Sequence, residues 1–278
     1  MSELKQISKS KCFEGDQLVF SHYSDVCNCD MTFALYLPPQ TNAEKLQVIW
    51  FLSGLTCTHE NAMIKSGIQR WASEEKIAII FPDTSPRGEG VPDDDNFDLG
   101  QGAGFYVNST ENPWKTNFQM WSYIVDELPN LVFKEFPLNP DKQSIMGHSM
   151  GGLGALNIAF RNPEIYKTVS AFAPISNPLK GVWGQKQFEA YLGKDKDKWE
   201  KYDPSILLTE QGYKGKILVD QGTKDDFLKN LMPESLERIF KLRKKGDQIR
   251  YQKDYDHSYF FVSSFLKDHI LWHKENIN

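Results

Sequence analysis

The sharpest chemical signal in the 278-residue chain is Gly147-His148-Ser149-Met150-Gly151, a G-x-S-x-G match between a short apolar strand and a helix of small residues. A turn this tight strains the serine backbone and leaves no room for a Cβ at the flanking positions, so glycine is required on both sides. A serine hydroxyl is a poor nucleophile. It needs a base to take its proton and a third group to hold that base in the right tautomer. Around such an elbow the chain order is serine, carboxylate, histidine, each just past the C-terminal end of a strand. Three histidines follow Ser149. His269 and His273 lie one helical turn apart on the final helix and read as a partly exposed face. His257, in DYDHSY between a strand at 249–253 and the last helix, stands where a general base belongs. For the acid, the strand KILVD runs into Gln221-Gly222-Thr223-Lys224-Asp225-Asp226-Phe227. Asp225 and Asp226 both qualify by position, one to face the histidine and the other to cap the following turn. Asp220 ends the strand itself and is the weaker candidate.

Acyl transfer also needs two donors for the oxyanion of the tetrahedral intermediate. The N–H of Met150, directly after the nucleophile, is one. The other is expected from the loop Ser53-Gly54-Leu55-Thr56-Cys57-Thr58 after the strand LQVIWFL, with Leu55 N–H as donor. Loss of such a donor costs on the order of 3 kcal/mol of transition-state stabilisation.

The elements that must hold these groups alternate between strand and helix. Residues 31–37 alternate Phe33, Leu35 and Leu37 before Pro38-Pro39, as a half-buried strand does, whereas 46–52 and 77–81 are the short continuous apolar runs of a doubly covered parallel sheet. Residues 62–76 read as the crossover helix between them. A Gly-, Pro- and Asp-rich loop follows at 82–108, then helical spacing over 117–136 that Pro129 must kink or divide. Strands at 142–147, 168–173, 216–220 and 249–253 alternate with helices at 150–160, 233–245 and 259–275. The stretch 184–209 offers short helices without strands, the look of a cap. With no linker, repeat or low-complexity tract, the order predicts one domain of the α/β-hydrolase fold over 1–278, its mostly parallel sheet flanked by helices and enlarged by insertions near 82–108 and 184–209.

Composition narrows the rest. Against 37 Asp+Glu stand 32 Lys+Arg, a formal charge of -5, which disfavours nucleic-acid binding. The longest apolar runs, 48–52 and 77–81, fall far short of the roughly 20 residues that span a bilayer. The opening MSELKQISKSKCFEG has no apolar core of a secretory signal. Four cysteines, Cys12, Cys27, Cys29 and Cys57, read as reduced thiols, and the Cys27/Cys29 pair has no second pair to complete a zinc site, so no metal is expected.

With the residues placed, the chain resembles the S-formylglutathione hydrolases, the esterase D family of serine hydrolases. The resemblance runs from SHYSDVCNCDMTFALYLPP through SGLTCTHEN, FPDTSPRG, GAGFYVN, GHSMGG, SAFAPISNP, WGQKQFEAYLG and DQGTKDDFL to YDHSYFF. It implies hydrolysis of S-formylglutathione to formate and glutathione, the last hydrolytic step of glutathione-dependent formaldehyde detoxification, by a cytoplasmic homodimer without a cofactor. It carries the nucleophile onto Ser149, the base onto His257 and the acid onto Asp225, the choice that position left open. Cys57 matches a cysteine near the active site of relatives that makes them sensitive to thiol reagents; packing behind the oxyanion loop is an equal role for it. A formyl group is tiny, so a tight acyl pocket is expected, with Trp183, Phe105 and Tyr106 as walls. Departures from the family pattern are Leu153 for histidine, Val182 for proline, and Phe97 and Leu99 for an aromatic pair. Three other functions fit parts of the pattern: a general carboxylesterase on oxygen esters, an acyltransferase, and a noncatalytic binding protein on the same fold. The intact Ser149, Asp225 and His257 speak against the last.

Overall fold

The computed structural model describes residues 3–39 and 45–277. Among these, strands β1 (Lys5–Cys12), β2 (Gly15–Ser24), β3 (Cys29–Leu37), β4 (Leu46–Leu52), β5 (Ile77–Pro82), β6 (Leu138–His148), β7 (Tyr166–Phe172), β8 (Lys216–Gly222) and β9 (Gln248–Gln252) form one sheet. Its order is β1-β2-β3-β5-β4-β6-β7-β8-β9. The first three strands and β5 pair antiparallel; every pair from β5 through β4 to β9 is parallel. The continuous apolar runs of β4 and β5 are buried along nearly their whole length, as strands covered on both faces must be.

β1 and β2 lie outside the sequence expectation. β1, KQISKSKC, has little apolar patterning and is exposed up to its last residue, Cys12; it is a strand because β2 offers it a pairing edge. Its lysines at the sheet's outer margin discourage further strand addition.

The expected crossover helix at 62–76 is two helices, α1 (His59–Lys65) and α2 (Ile68–Glu75), broken at Gly67, whose φ of 70° is left-handed. The 117–136 segment is irregular immediately before Pro129: α3 (Met120–Ser122) leads through a wide turn at Tyr123–Glu127, where Leu128 N–H donates to Tyr123 O, into α4 (Leu128–Glu135), with Pro129 in its first turn. α5 (Met150–Arg161) follows β6 directly and is buried almost throughout, as its small residues permit. The stretch after β7 holds α6 (Val182–Leu192), α7 (Lys196–Glu200) and α8 (Pro204–Glu210), without a strand. Then come α9 (Leu228–Leu231), α10 (Glu234–Arg243) and the long α11 (Tyr259–Asn276).

His269 and His273 correct the sequence reading: both are fully buried under α11. His273 bridges Thr168 and Ser170 of β7 through its two ring nitrogens, at 2.7 and 2.8 Å. His269 stacks on Phe172 and approaches the carboxylate of Asp220. Asp220 is not free for a triad: Arg250 on β9 holds both of its oxygens, at 2.5 and 2.7 Å.

Candidate active site

The parallel half of the sheet delivers the chemistry-bearing residues at one end. Ser149 occupies the turn between β6 and α5 with φ 59° and ψ -120°, a left-handed setting that costs a non-glycine residue about 1–2 kcal/mol. Its flanks explain the motif. A Cβ on Gly147 would run into the Gly151 carbonyl, and one on Gly151 into the Leu52 carbonyl at the end of β4. The turn is pinned across the sheet by Ser149 N–H donating to Phe172 O at 2.9 Å.

Two strands further along, the loop after β8 presents Asp225. Its Oδ2 accepts from His257 Nδ1 at 2.7 Å and from Gln221 Nε2 at 3.0 Å, while Oδ1 accepts from Phe227 N–H at 2.8 Å. Asp225 thus faces the histidine and caps the turn, two jobs the sequence reading divided between neighbours; Asp226 is exposed. The acid loop is sewn to the histidine loop after β9 by Thr223 N–H to Gln252 O at 3.0 Å and Lys224 N–H to Tyr255 O at 2.9 Å. His257 is further held between the rings of His148 and Phe227, at centroid distances of 4.6 and 5.1 Å. Burial and the neighbouring His257 keep His148 well below the ordinary histidine range, so it stays neutral. Ser149 and His257 open on the same pocket.

The loop after β4 closes the opposite side. An ideal Cβ on Gly54 would stand 3.1 Å from Ser149 Cβ, so the loop backbone lies directly against Ser149. Thr56 takes a left-handed φ of 64°, and its N–H donates to Gly102 O at 2.9 Å. Arg87 Nη2 reaches Cys57 O at 2.7 Å while its Nε binds Asp83, and Thr84 donates to the same carbonyl. The Pro-, Gly- and Asp-rich loop therefore serves as a splint for this turn. Among the described residues, neither Leu55 N–H nor Met150 N–H donates to a protein acceptor.

The pocket holds about 320 Å³, with Ser149 and His257 in its lining. Trp183 lines it from a non-helical turn, Trp183-Gly184, at the start of α6, and Cys57 lines it from the loop after β4. Phe105 and Tyr106 do not, contrary to expectation. Both are buried behind the loop, where Phe105 packs on Phe188 and Tyr106 OH donates to Ser53 O at 2.9 Å. Of the four departures, Phe97 lines the pocket, Val182 is exposed beside Trp183, and Leu99 and Leu153 are buried. Lining residues that sequence reasoning missed include Asn61, Lys65, Phe227 and Tyr259. Only the spacing N-x-x-x-K directly after the loop could have flagged the first two. Near the pocket Tyr259 OH is buried against Ser53 and Cys57, and His148 against His257.

The arrangement is suited to acyl transfer through a serine ester. Comparison with known proteins agrees with that chemistry. The Esterase family model matches residues 24–272. An S-formylglutathione hydrolase of Paracoccus denitrificans is 56% identical over 271 residues, covering 98% of this chain and 97% of the relative. One from Rattus norvegicus is 49% identical over 282 residues, 99% of each. A solved S-formylglutathione hydrolase from Agrobacterium tumefaciens superposes with a TM-score of 0.94 at 45% identity, covering 99% of this chain and 100% of that one.

Proposed function

The chain belongs to the S-formylglutathione hydrolase family, esterases of the α/β-hydrolase fold, and from that premise we propose that it hydrolyses S-formylglutathione through a formyl ester on Ser149. The observation that carries the assignment of roles is the 2.7 Å contact between Asp225 and His257 Nδ1, beside Ser149 in one pocket. Asp225 fixes the tautomer in which His257 Nε2 is the acceptor and supports the imidazolium that forms.

Ser149 Oγ adds to the formyl carbonyl carbon as His257 takes its proton. The carbonyl oxygen becomes an oxyanion, received by the N–H groups of Leu55 and Met150. The intermediate collapses with cleavage of the C–S bond. Glutathione departs and takes the proton from His257, which returns the imidazole to its neutral form; a thiol with a pKa of about 8.5 is a good leaving group, so this proton transfer can lag behind C–S cleavage. Water then adds to the formyl ester with His257 as base. The second intermediate expels Ser149 Oγ, which recovers the proton, and formate leaves.

The reading extends to one domain acting as a homodimer in the cytoplasm, where glutathione is the abundant thiol, as the hydrolytic step of formaldehyde removal and with neither metal nor cofactor. Among the described residues no helix is long and apolar enough to cross a membrane.

Turnover of S-formylglutathione by wild type and Ser149→Ala tests the core of the proposal. The wild type should favour this thioester over p-nitrophenyl acetate by at least roughly tenfold in kcat/KM, about 1.4 kcal/mol of transition-state binding. Ser149→Ala should lose on the order of 10⁴-fold or more on both. A wild type that prefers the oxygen ester is a general carboxylesterase, and the assigned substrate is then wrong.

A further inference from the structure

The leaving group of this reaction is a charged tripeptide with two carboxylates and one ammonium, carried by a chain whose formal charge is -5. Something local must offset that repulsion. Among the described residues lining the pocket there is no Asp or Glu and one Lys or Arg, Lys65. Among the described residues Lys65 forms no ion pair, whereas Lys186 is already held by Asp98 at 2.5 Å. Lys65 and the pocket-lining Asn61 are four residues apart on α1, hence on one helix face. Asn61 Oδ1 accepts the Thr58 N–H at 2.9 Å in the capping box, which leaves its amide N–H groups free to donate.

The distances suit the ligand. α1 begins directly after the loop that carries Leu55, and from Thr58 to Lys65 the helix rises about 10 Å. The thioester sits on the middle residue of glutathione, which puts either end carboxylate within about 10 Å of the sulfur. Because Lys65 lines the same pocket as Ser149, a carboxylate at the end of glutathione reaches it while the thioester lies against Ser149. We infer that Asn61 and Lys65 form the carboxylate-recognition face for the glutathionyl half of the substrate, so that α1 selects the thiol as the triad selects the ester. This rests on the function proposed above and deepens it.

The test compares S-formylglutathione with S-formyl-N-acetylcysteamine, a formyl thioester whose thiol lacks both carboxylates. In Lys65→Gln the ratio of their kcat/KM values should fall roughly tenfold, the scale of one charge-assisted contact, with the loss in KM rather than kcat. Lys65→Glu should fall further, and Lys65→Arg should restore most of the ratio. Added salt should lower the wild-type preference and leave that of Lys65→Gln nearly unchanged. An unchanged ratio in both Lys65→Gln and Lys65→Glu would overturn the inference. So would an equal decline on the two thioesters, the mark of a merely structural residue. If the wild type shows no preference for S-formylglutathione over p-nitrophenyl acetate, the substrate itself falls and the inference with it; a preferred substrate with an indifferent Lys65 sinks the inference alone.

Discussion

Cys57 lies beside the candidate oxyanion loop and is 8% exposed. Burial pushes its thiol above the ordinary range, so at neutral pH it is a thiol and not the reactive thiolate. Alkylation by iodoacetamide, followed by mass spectrometry, should be slow at pH 7 and accelerate as pH rises. Cys57→Ser should keep turnover within about tenfold of wild type, against the roughly 10⁴-fold loss of Ser149→Ala; equal losses would place Cys57 in the chemistry. At this scale the turn at Ser149 was legible because Gly147 and Gly151 are demanded by backbone atoms of neighbouring segments, and such a demand leaves its mark on residue type. The carboxylate was legible only to within one position. Position along a strand says where a loop begins, not which of two consecutive side chains the turn aims inward. Lys65 and Asn61 were silent because a lysine near a helix C-terminus already has an ordinary reason to be there.

Among elements, the junction of β8, β9 and α11 carries the largest electrostatic stake. Burial alone would raise the Asp220 carboxyl, but the bonds from His269 and Arg250 outweigh it and hold the group below its ordinary value. Its contribution to stability is therefore complete above about pH 4, the unfolded carboxylate's range, and is lost as pH falls through the lower folded-state value. Arg250→Met leaves a buried carboxylate without its cation and should cost about 3 kcal/mol at pH 7 in urea unfolding. The deficit relative to wild type should shrink below pH 4, where protonated Asp220 no longer needs a cation. A constant deficit across that range would mean that lost packing, not charge, is what the variant removes. These elements also show where sequence patterning misleads. His269 and His273 read as surface because they are polar, yet Ser144, Thr168, Ser170 and Asp220 of the adjoining strands supply a polar interior that receives them. Phe105 and Tyr106 erred the other way: a glycine-rich stretch looked like a rim, and their consecutive left-handed backbones at φ 49° and 53° instead turn them into the core.

For the molecule as a whole, stability should grade across the sheet. Hydrogen exchange followed by mass spectrometry should find the strongest amide protection in β4, β6 and β7 and the weakest in β1, which is exposed up to its last residue. Uniform protection would mean that the exposed hairpin opens only with the core. β4 and β5 were legible because strands buried on both faces read as nearly continuous apolar runs, while β1 and the break at Gly67 depend on neighbours that no local window contains.

The sheet also acts as a ruler for the chemistry. β7 alone separates β6 from β8, and β9 adjoins β8. With strands about 4.8 Å apart, the loops that carry Ser149 and Asp225 are anchored about 10 Å from each other, and the His257 loop one further step along. These anchor points come in whole strand increments. Finer adjustment between serine and imidazole, the fraction of an ångström on which proton transfer depends, is left to the loops, so selection for a different ester can act there without recutting the frame.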